Sequence, residues 1–170
     1  MSGHSKWAQI RHKKAVTDKK RGQLFSKISR AITLAAKKGT DPKSNAALSQ
    51  AIDQARAMNV PNDNIARAIK KAADKSSAQL EELIIDGIGP GGIAMRVKAI
   101  TDNRNRTVAD IKNILSEHES KMVPPGSIGW MLDEQFTAPD ESVRDKIDLL
   151  FEALDDQEEV EDVISNLAEN

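Results

Sequence analysis

The stretch LEELIIDGIGPGGIAMRVKAI, residues 80–100, decides the fold. Two runs rich in aliphatic and β-branched residues, Leu80–Ile88 and Ile93–Ile100, flank Gly89-Pro90-Gly91-Gly92, the pattern of a β-hairpin. Gly87, Gly89 and Gly92 also spell G-x-G-x-x-G, the spacing of a dinucleotide-binding turn. That fingerprint must open a helix after a strand, whereas Ile93-Ala94-Met95-Arg96-Val97 continues as strand. The glycines are therefore assigned to turn dihedrals and close backbone approach.

Beyond the hairpin, Thr101-Asp102-Asn103 starts a helix that reaches about Glu119, with Val108, Ile111, Ile114 and Leu115 on its apolar face. Pro124-Pro125-Gly126 turns into an expected short strand, Ser127–Leu132, containing Trp130, and a further extended piece covers Gln135–Ala138. Pro139-Asp140 opens a helix to about Asp155, with Ile147, Leu150, Phe151 and Leu154 facing inward. Val160–Ile164 reads as a last strand and Leu167–Asn170 as a frayed end. This order is that of a ferredoxin-like split βαβ domain with an added β-hairpin.

Before the hairpin the grammar is helical. Leu24, Phe25, Ile28, Ala31, Ile32, Ala35 and Ala36 recur at three- and four-residue spacing from about Thr17, and Gly39 supplies a stop. A second helix is expected from about Asn45 to Met58, ended by Asn59-Val60-Pro61. A third runs from about Asn62 to Ala73, with Asn62 or Asp63 as N-cap. Residues 1–16 carry no apolar period and read as an extended or irregular arm. The fold class is thus α+β: a three-helix basic bundle with an arm over residues 1–75, then an acidic ferredoxin-like domain over 76–170.

The charges divide with the domains. Residues 1–75 hold 17 Lys and Arg against 5 Asp and Glu, while the remainder holds 8 against 21, so a formal net charge of -1 hides a strong asymmetry. A segment as basic as the first 38 residues, whose one acid is Asp18, reads as a surface for phosphate. The candidate contacts are Lys6, Arg11, His12, Lys13, Lys14, Lys19, Lys20 and Arg21, with Lys27 and Arg30 further along the helix. Trp7 lies among these cations and either packs on the bundle or stacks on a base. Arg104 and Arg106 lie near a helix start, where N–H groups favour an anion; the alternative for Arg104 is an ion pair with Asp102 or Asp86.

Catalysis, metals and cofactors find no such pattern. His4 and His12 have no carboxylate or thiol at ligand spacing, and His4 is better read as bonding backbone or phosphate. Ser5-Lys6 lacks the geometry of a nucleophile and base, Asp155–Asp162 lacks the spacing of a calcium loop, and no P-loop is present. Cysteine is absent, which suits a reducing cytosol, and no apolar run approaches the ~18 residues that span a bilayer. The expectation is a cytoplasmic non-enzyme with no cofactor, metal, membrane or small-molecule partner.

Gly3-His4-Ser5-Lys6-Trp7, Ile10-Arg11-His12-Lys13-Lys14 and Lys20-Arg21-Gly22 resemble the opening of the YebC/PmpR family. Pro61-Asn62-Asp63-Asn64-Ile65, Gly87-Ile88-Gly89-Pro90-Gly91-Gly92 and Thr101-Asp102-Asn103-Arg104-Asn105-Arg106-Thr107 resemble it in order and spacing. The resemblance implies a probable transcriptional regulator that binds DNA. A mitochondrial relative, a translational activator of a cytochrome oxidase subunit, implies instead a translation factor on ribosomal RNA, with the ribosome as a candidate partner. An irregular basic arm suits RNA grooves, where shape and phosphate are read more than sequence. A third option is a structural adaptor whose basic face is satisfied by its own acidic domain. Family members run longer, with a further α/β domain after the strand equivalent to Ser127–Leu132; here Asp133-Glu134-Gln135 crosses directly to Phe136.

Overall fold

The computed structural model describes residues 18–169 and the backbone of His4–Ser5. These residues form two compact units, one of residues 18–81 with Ile100–Asn103, the other of residues 82–99 and 104–169 with His4–Ser5.

The first unit is helical: α1 (Asp18–Ala36), α2 (Ala46–Ala57) and α3 (Asn62–Lys71). Apolar residues at helical spacing turn inward, Ile28, Ile32 and Ala36 from α1, Leu48, Ile52 and Ala55 from α2, Ile65 and Ala68 from α3. Asn45 stitches two helix ends together. Its Oδ1 accepts from the Leu48 N–H at 3.1 Å as the N-cap of α2, and its Nδ2 donates to the Ala35 and Gly39 carbonyls, each at 2.8 Å. Asn59 ends α2 in the left-handed region (φ 59°), and the Val60 N–H reaches the Ala55 carbonyl at 3.0 Å, a Schellman closure. Pro61, not Asn62 or Asp63, occupies the N-cap of α3, where its missing N–H costs nothing. Thr33 donates to the Ala68 carbonyl at 2.8 Å, tying α1 to α3.

The second unit is a sheet of β1 (His4–Ser5), β2 (Glu81–Ile88), β3 (Ala94–Thr101), β4 (Lys121–Val123) and β5 (Val160–Ser165), in the order β1-β5-β3-β2-β4. Two helices, α4 (Arg104–Glu117) and α5 (Glu141–Asp156), follow β3 and precede β5. β4 runs antiparallel to β2, and β2 separates it from β3, so β3-α4-β4 is the split βαβ crossover. Alternation sends Leu83, Ile85, Met95 and Val97 to one face, where they meet Ile111 and Leu115 of α4 and Ile147, Leu150, Phe151 and Leu154 of α5. On the other face Ala94 packs with Ile128 and Leu132. The turn between β2 and β3 favours glycine twice: a Cβ on Gly89 would stand 2.9 Å from the Ile93 Cγ2 and 3.3 Å from the Leu150 Cδ2, and Gly91 has φ +72°.

The structure departs from the sequence reading in three places. Ser127–Leu132 is not a strand. Gly126 turns the backbone (φ 81°), the Leu132 N–H reaches the Ile128 carbonyl at 3.1 Å, and Met131–Asp133 is a 3-10 turn; Trp130 is left 66% exposed. The apolar pair Ile128 and Leu132, four apart, was the helical signal in that segment. The strand that completes the crossover is instead the short Lys121–Val123, released from α4 by Glu119 at φ 54° and the Ser120 N–H on the Leu115 carbonyl at 2.9 Å. Gln135–Ala138 contributes only a parallel bridge, Phe136 to Leu167. Finally, Leu167 and Ala168 of the expected frayed end are held: the Ala168 N–H reaches the Phe136 carbonyl at 2.8 Å, and the residue before them is fixed as well. Asn166 accepts from the Ala94 N–H at 3.0 Å and donates to the Met131 carbonyl at 3.1 Å, and Leu167 is buried.

Candidate nucleic-acid interface

Of the sequence candidates, Lys6, Trp7, Arg11, His12, Lys13 and Lys14 lie outside the described residues. Lys19, Lys20 and Arg21 are exposed on the first turns of α1, with the Arg21 guanidinium 3.9 Å from Asp18. Arg30 is half-buried. Lys27 is 3% exposed and so is not offered to solvent with the rest. Its position explains this: three residues after Leu24 and four before Ala31, it falls on the edge of the apolar stripe rather than opposite it.

Arg104 and Arg106 both sit in the first turn of α4 and are exposed. Arg106 is ion-paired with Glu159, whose other oxygen accepts from the Thr107 hydroxyl. A phosphate at this helix start would have to compete with the chain's own carboxylate. Sequence reasoning missed Glu159 because it lies 53 residues away, just before β5, and meets Arg106 only in the folded unit. Asp86, offered above as a partner for Arg104, is taken by Arg96 at 2.8 Å and 3.1 Å, and accepts a third bond from the Gly126 N–H at 2.8 Å. Burial alone would raise the Asp86 carboxyl, but the Arg96 and Gly126 hydrogen bonds and the Arg96 charge outweigh it and hold it below its ordinary value. The same hydrogen bond raises Arg96, against its partial burial.

The helical unit treats its other cations differently. Lys37 works structurally, its ammonium donating to the Ala78 and Leu80 carbonyls at 3.1 Å each. The side chains of Lys38, Lys43, Arg56, Lys70, Lys71 and Lys75 are exposed and reach no carboxylate among the described residues. Sequence reasoning counted them in the net charge and placed Lys38 off the apolar stripe at a helix C-terminus, but named none of them as a phosphate contact. Among the described residues no group of three His, Cys, Asp or Glu is placed to hold a metal ion, and no helix is long and apolar enough to cross a membrane.

Comparison with known proteins covers both units. Residues 5–75 match the model of the TACO1/YebC protein N-terminal domain, and residues 80–137 match that of the TACO1/YebC second and third domain. A probable transcriptional regulatory protein of Chlorobaculum parvum is 53% identical over 137 residues, 79% of this chain and 55% of that one. One from Nostoc is 45% identical over 159 residues, 91% of this chain and 63% of that one. The chain thus spans between about half and two thirds of the length of these curated relatives. The crystal structure of a conserved hypothetical protein from Aquifex aeolicus superposes with a TM-score of 0.84 at 29% identity, covering 96% of each chain.

Proposed function

The chain belongs to the TACO1/YebC family, and from that premise we propose that it is a non-enzymatic, nucleic-acid-binding regulator of gene expression acting in the cytoplasm. The observation that carries the proposal is the set of exposed cations in the helical unit that meet no carboxylate. Ion pairs on a surface add little stability, but unneutralised cations gathered on one unit attract a polyanion with a strong dependence on salt. The relatives' name, probable transcriptional regulatory protein, supports duplex DNA as the target.

A second reading, a translation factor on ribosomal RNA, is favoured by how the cations are distributed. They extend over α1, α2 and α3 instead of concentrating on one helix with base-reading side chains, and such a surface reads backbone and shape. Cosedimentation with ribosomes over a salt series, with duplex DNA as competitor, separates the two. Retention despite excess DNA, lost on Lys19→Ala/Lys20→Ala/Arg21→Ala, supports the translation reading. Release by DNA, with discrete shifts on promoter fragments, supports the transcriptional one. No association with either at low salt refutes nucleic-acid binding.

A further inference from the structure

α3 carries an outer face that the assignments above leave unused. Its inner side is Ile65 and Ala68; on the outer side Lys70 and Lys71 stand three and four residues after Arg67, and all three are exposed. The Arg67 guanidinium is held by the Asn64 side-chain oxygen at 2.7 Å, and its Nε donates to the Asp63 backbone carbonyl at 3.4 Å, so the nearby acid contributes its carbonyl and not its carboxylate. Lys75, also exposed, opens the 3-10 turn that follows α3. The Thr33 bond to Ala68 and the Lys37 bonds to Ala78 and Leu80 bring the C-terminal ends of α1 and α3 to the same end of the unit. Lys38, exposed, is the next residue after Lys37 at that end.

Lysines in a last helical turn complement the helix dipole, which accounts for Lys70 and Lys71. It does not account for Arg67, nor for Lys38 and Lys75. We infer that the Arg67–Lys70–Lys71 face, together with Lys75 and Lys38, is a phosphate-binding surface for the backbone of folded RNA, made of residues other than the sequence candidates of the N-terminal stretch and the start of α1. This rests on the nucleic-acid reading above. RNA is favoured because the face offers little for reading a base. Asn64, the amide beside Arg67, is committed to it, and the described helical unit contains a single aromatic residue, Phe25, which belongs to α1 and not to this helix. Phosphate and shape are what remain to be recognised.

The test measures binding of the full chain to a labelled RNA hairpin of about 16 base pairs, the span of shape-reading RNA modules, by fluorescence anisotropy across a salt series. Arg67→Gln/Lys70→Gln/Lys71→Gln should weaken binding about tenfold or more and lower the salt slope by about 2 to 3, since each lost phosphate contact removes about one. Lys112→Gln/Lys121→Gln, which removes charge from the other unit, should leave the slope unchanged. Glutamine keeps helix propensity, so the fold should survive. If the triple variant nonetheless unfolds, Lys70→Gln and Lys71→Gln singly should each lower the slope by about one. Unchanged binding by the α3 variants overturns the surface, as does an equal loss from the Lys112/Lys121 variant. A DNA duplex of the same sequence bound as tightly, with the same losses, overturns the RNA assignment. Wild-type chain that binds neither refutes the nucleic-acid reading itself.

Discussion

In the α/β unit Arg96 meets Asp86 at 2.8 Å, Lys146 meets Glu119 at 2.8 Å, Arg144 lies 3.7 Å from Asp148, and Arg106 is paired with Glu159. In the helical unit the side chains of Lys38, Lys43, Lys70, Lys71 and Lys75 reach no carboxylate among the described residues. The acidic unit therefore uses several of its cations to hold its own elements, and the basic unit leaves several of its cations toward solvent. Charges of the first kind belong to the folding of the chain. Those of the second kind meet no carboxylate with their side chains among the described residues, and a role for them is to be sought in what the unit meets. Mutation should separate the two kinds.

The largest effect is expected at Asp86. Its side chain is 1% exposed against 22% for Arg96, and it holds both Arg96 and the Gly126 turn. Asp86→Ala strands a largely buried guanidinium and an amide, and should cost about 3 kcal/mol in denaturant unfolding. A double-mutant cycle with Arg96→Ala should recover part of that loss. The pH dependence has a fixed sign. Because the folded carboxyl lies below its ordinary value of 3.8, its contribution is complete above that pH and is lost as pH falls through the lower folded value. Wild-type stability should therefore decline below about pH 4 by more than that of Asp86→Asn.

Gly91→Ala should come next, at about 2 kcal/mol, because the added Cβ meets a strained backbone as well as close neighbours. With φ at +72°, it would stand 2.9 Å from the Val143 Cγ1 and 3.0 Å from the Phe136 Cζ. Thermal unfolding measures the loss. A variant as stable as wild type would show that the turn does not depend on this glycine. In the helical unit the corresponding internal tie is Thr33, which donates to Ser29 at 3.0 Å and Ala68 at 2.8 Å. Thr33→Val should lower stability by about 1 kcal/mol, the usual net worth of such a bond.

Both predictions rest on contacts that the sequence revealed unequally. The three bundle helices and the hairpin were legible because each depends on local spacing: Ile28, Ile32 and Ala36 recur with the helix, and Gly89–Gly92 break two aliphatic runs. The crossover helix and the final strand followed from the same rules. β4 was not legible. Lys121–Val123 is three residues long, exposed at two of them, and is a strand only because Asp86, Gly87 and Ile88 lie alongside. Ser127–Leu132 misled because its apolar content suggested pairing, while Gly126 and the Ile128–Leu132 spacing made a turn. At the candidate site, the cations could be counted but not sorted. That Arg106 is held by Glu159 and Lys37 by two carbonyls, while Lys70 and Lys71 reach no partner, depends on residues distant in sequence.

The smallest stability effect is expected at Lys70 and Lys71, and it bears most directly on the comparison. Residues 1–75 carry a large excess of positive charge, so each lysine there is repelled by its neighbours. Against that stands the helix dipole, which favours both at the end of α3 by a few tenths of a kcal/mol, reduced by salt. The two contributions oppose each other, so Lys70→Gln/Lys71→Gln should change unfolding free energy by no more than about 0.5 kcal/mol. Any gain should be largest at low salt, where repulsion is least screened. A loss as large as that of Asp86→Ala would mean that these lysines hold the fold after all, and the contrast between the units would disappear. A near-zero change, alongside a reduced salt slope in RNA binding, would mean that charge contributing almost nothing to folding is held on this face for recognition.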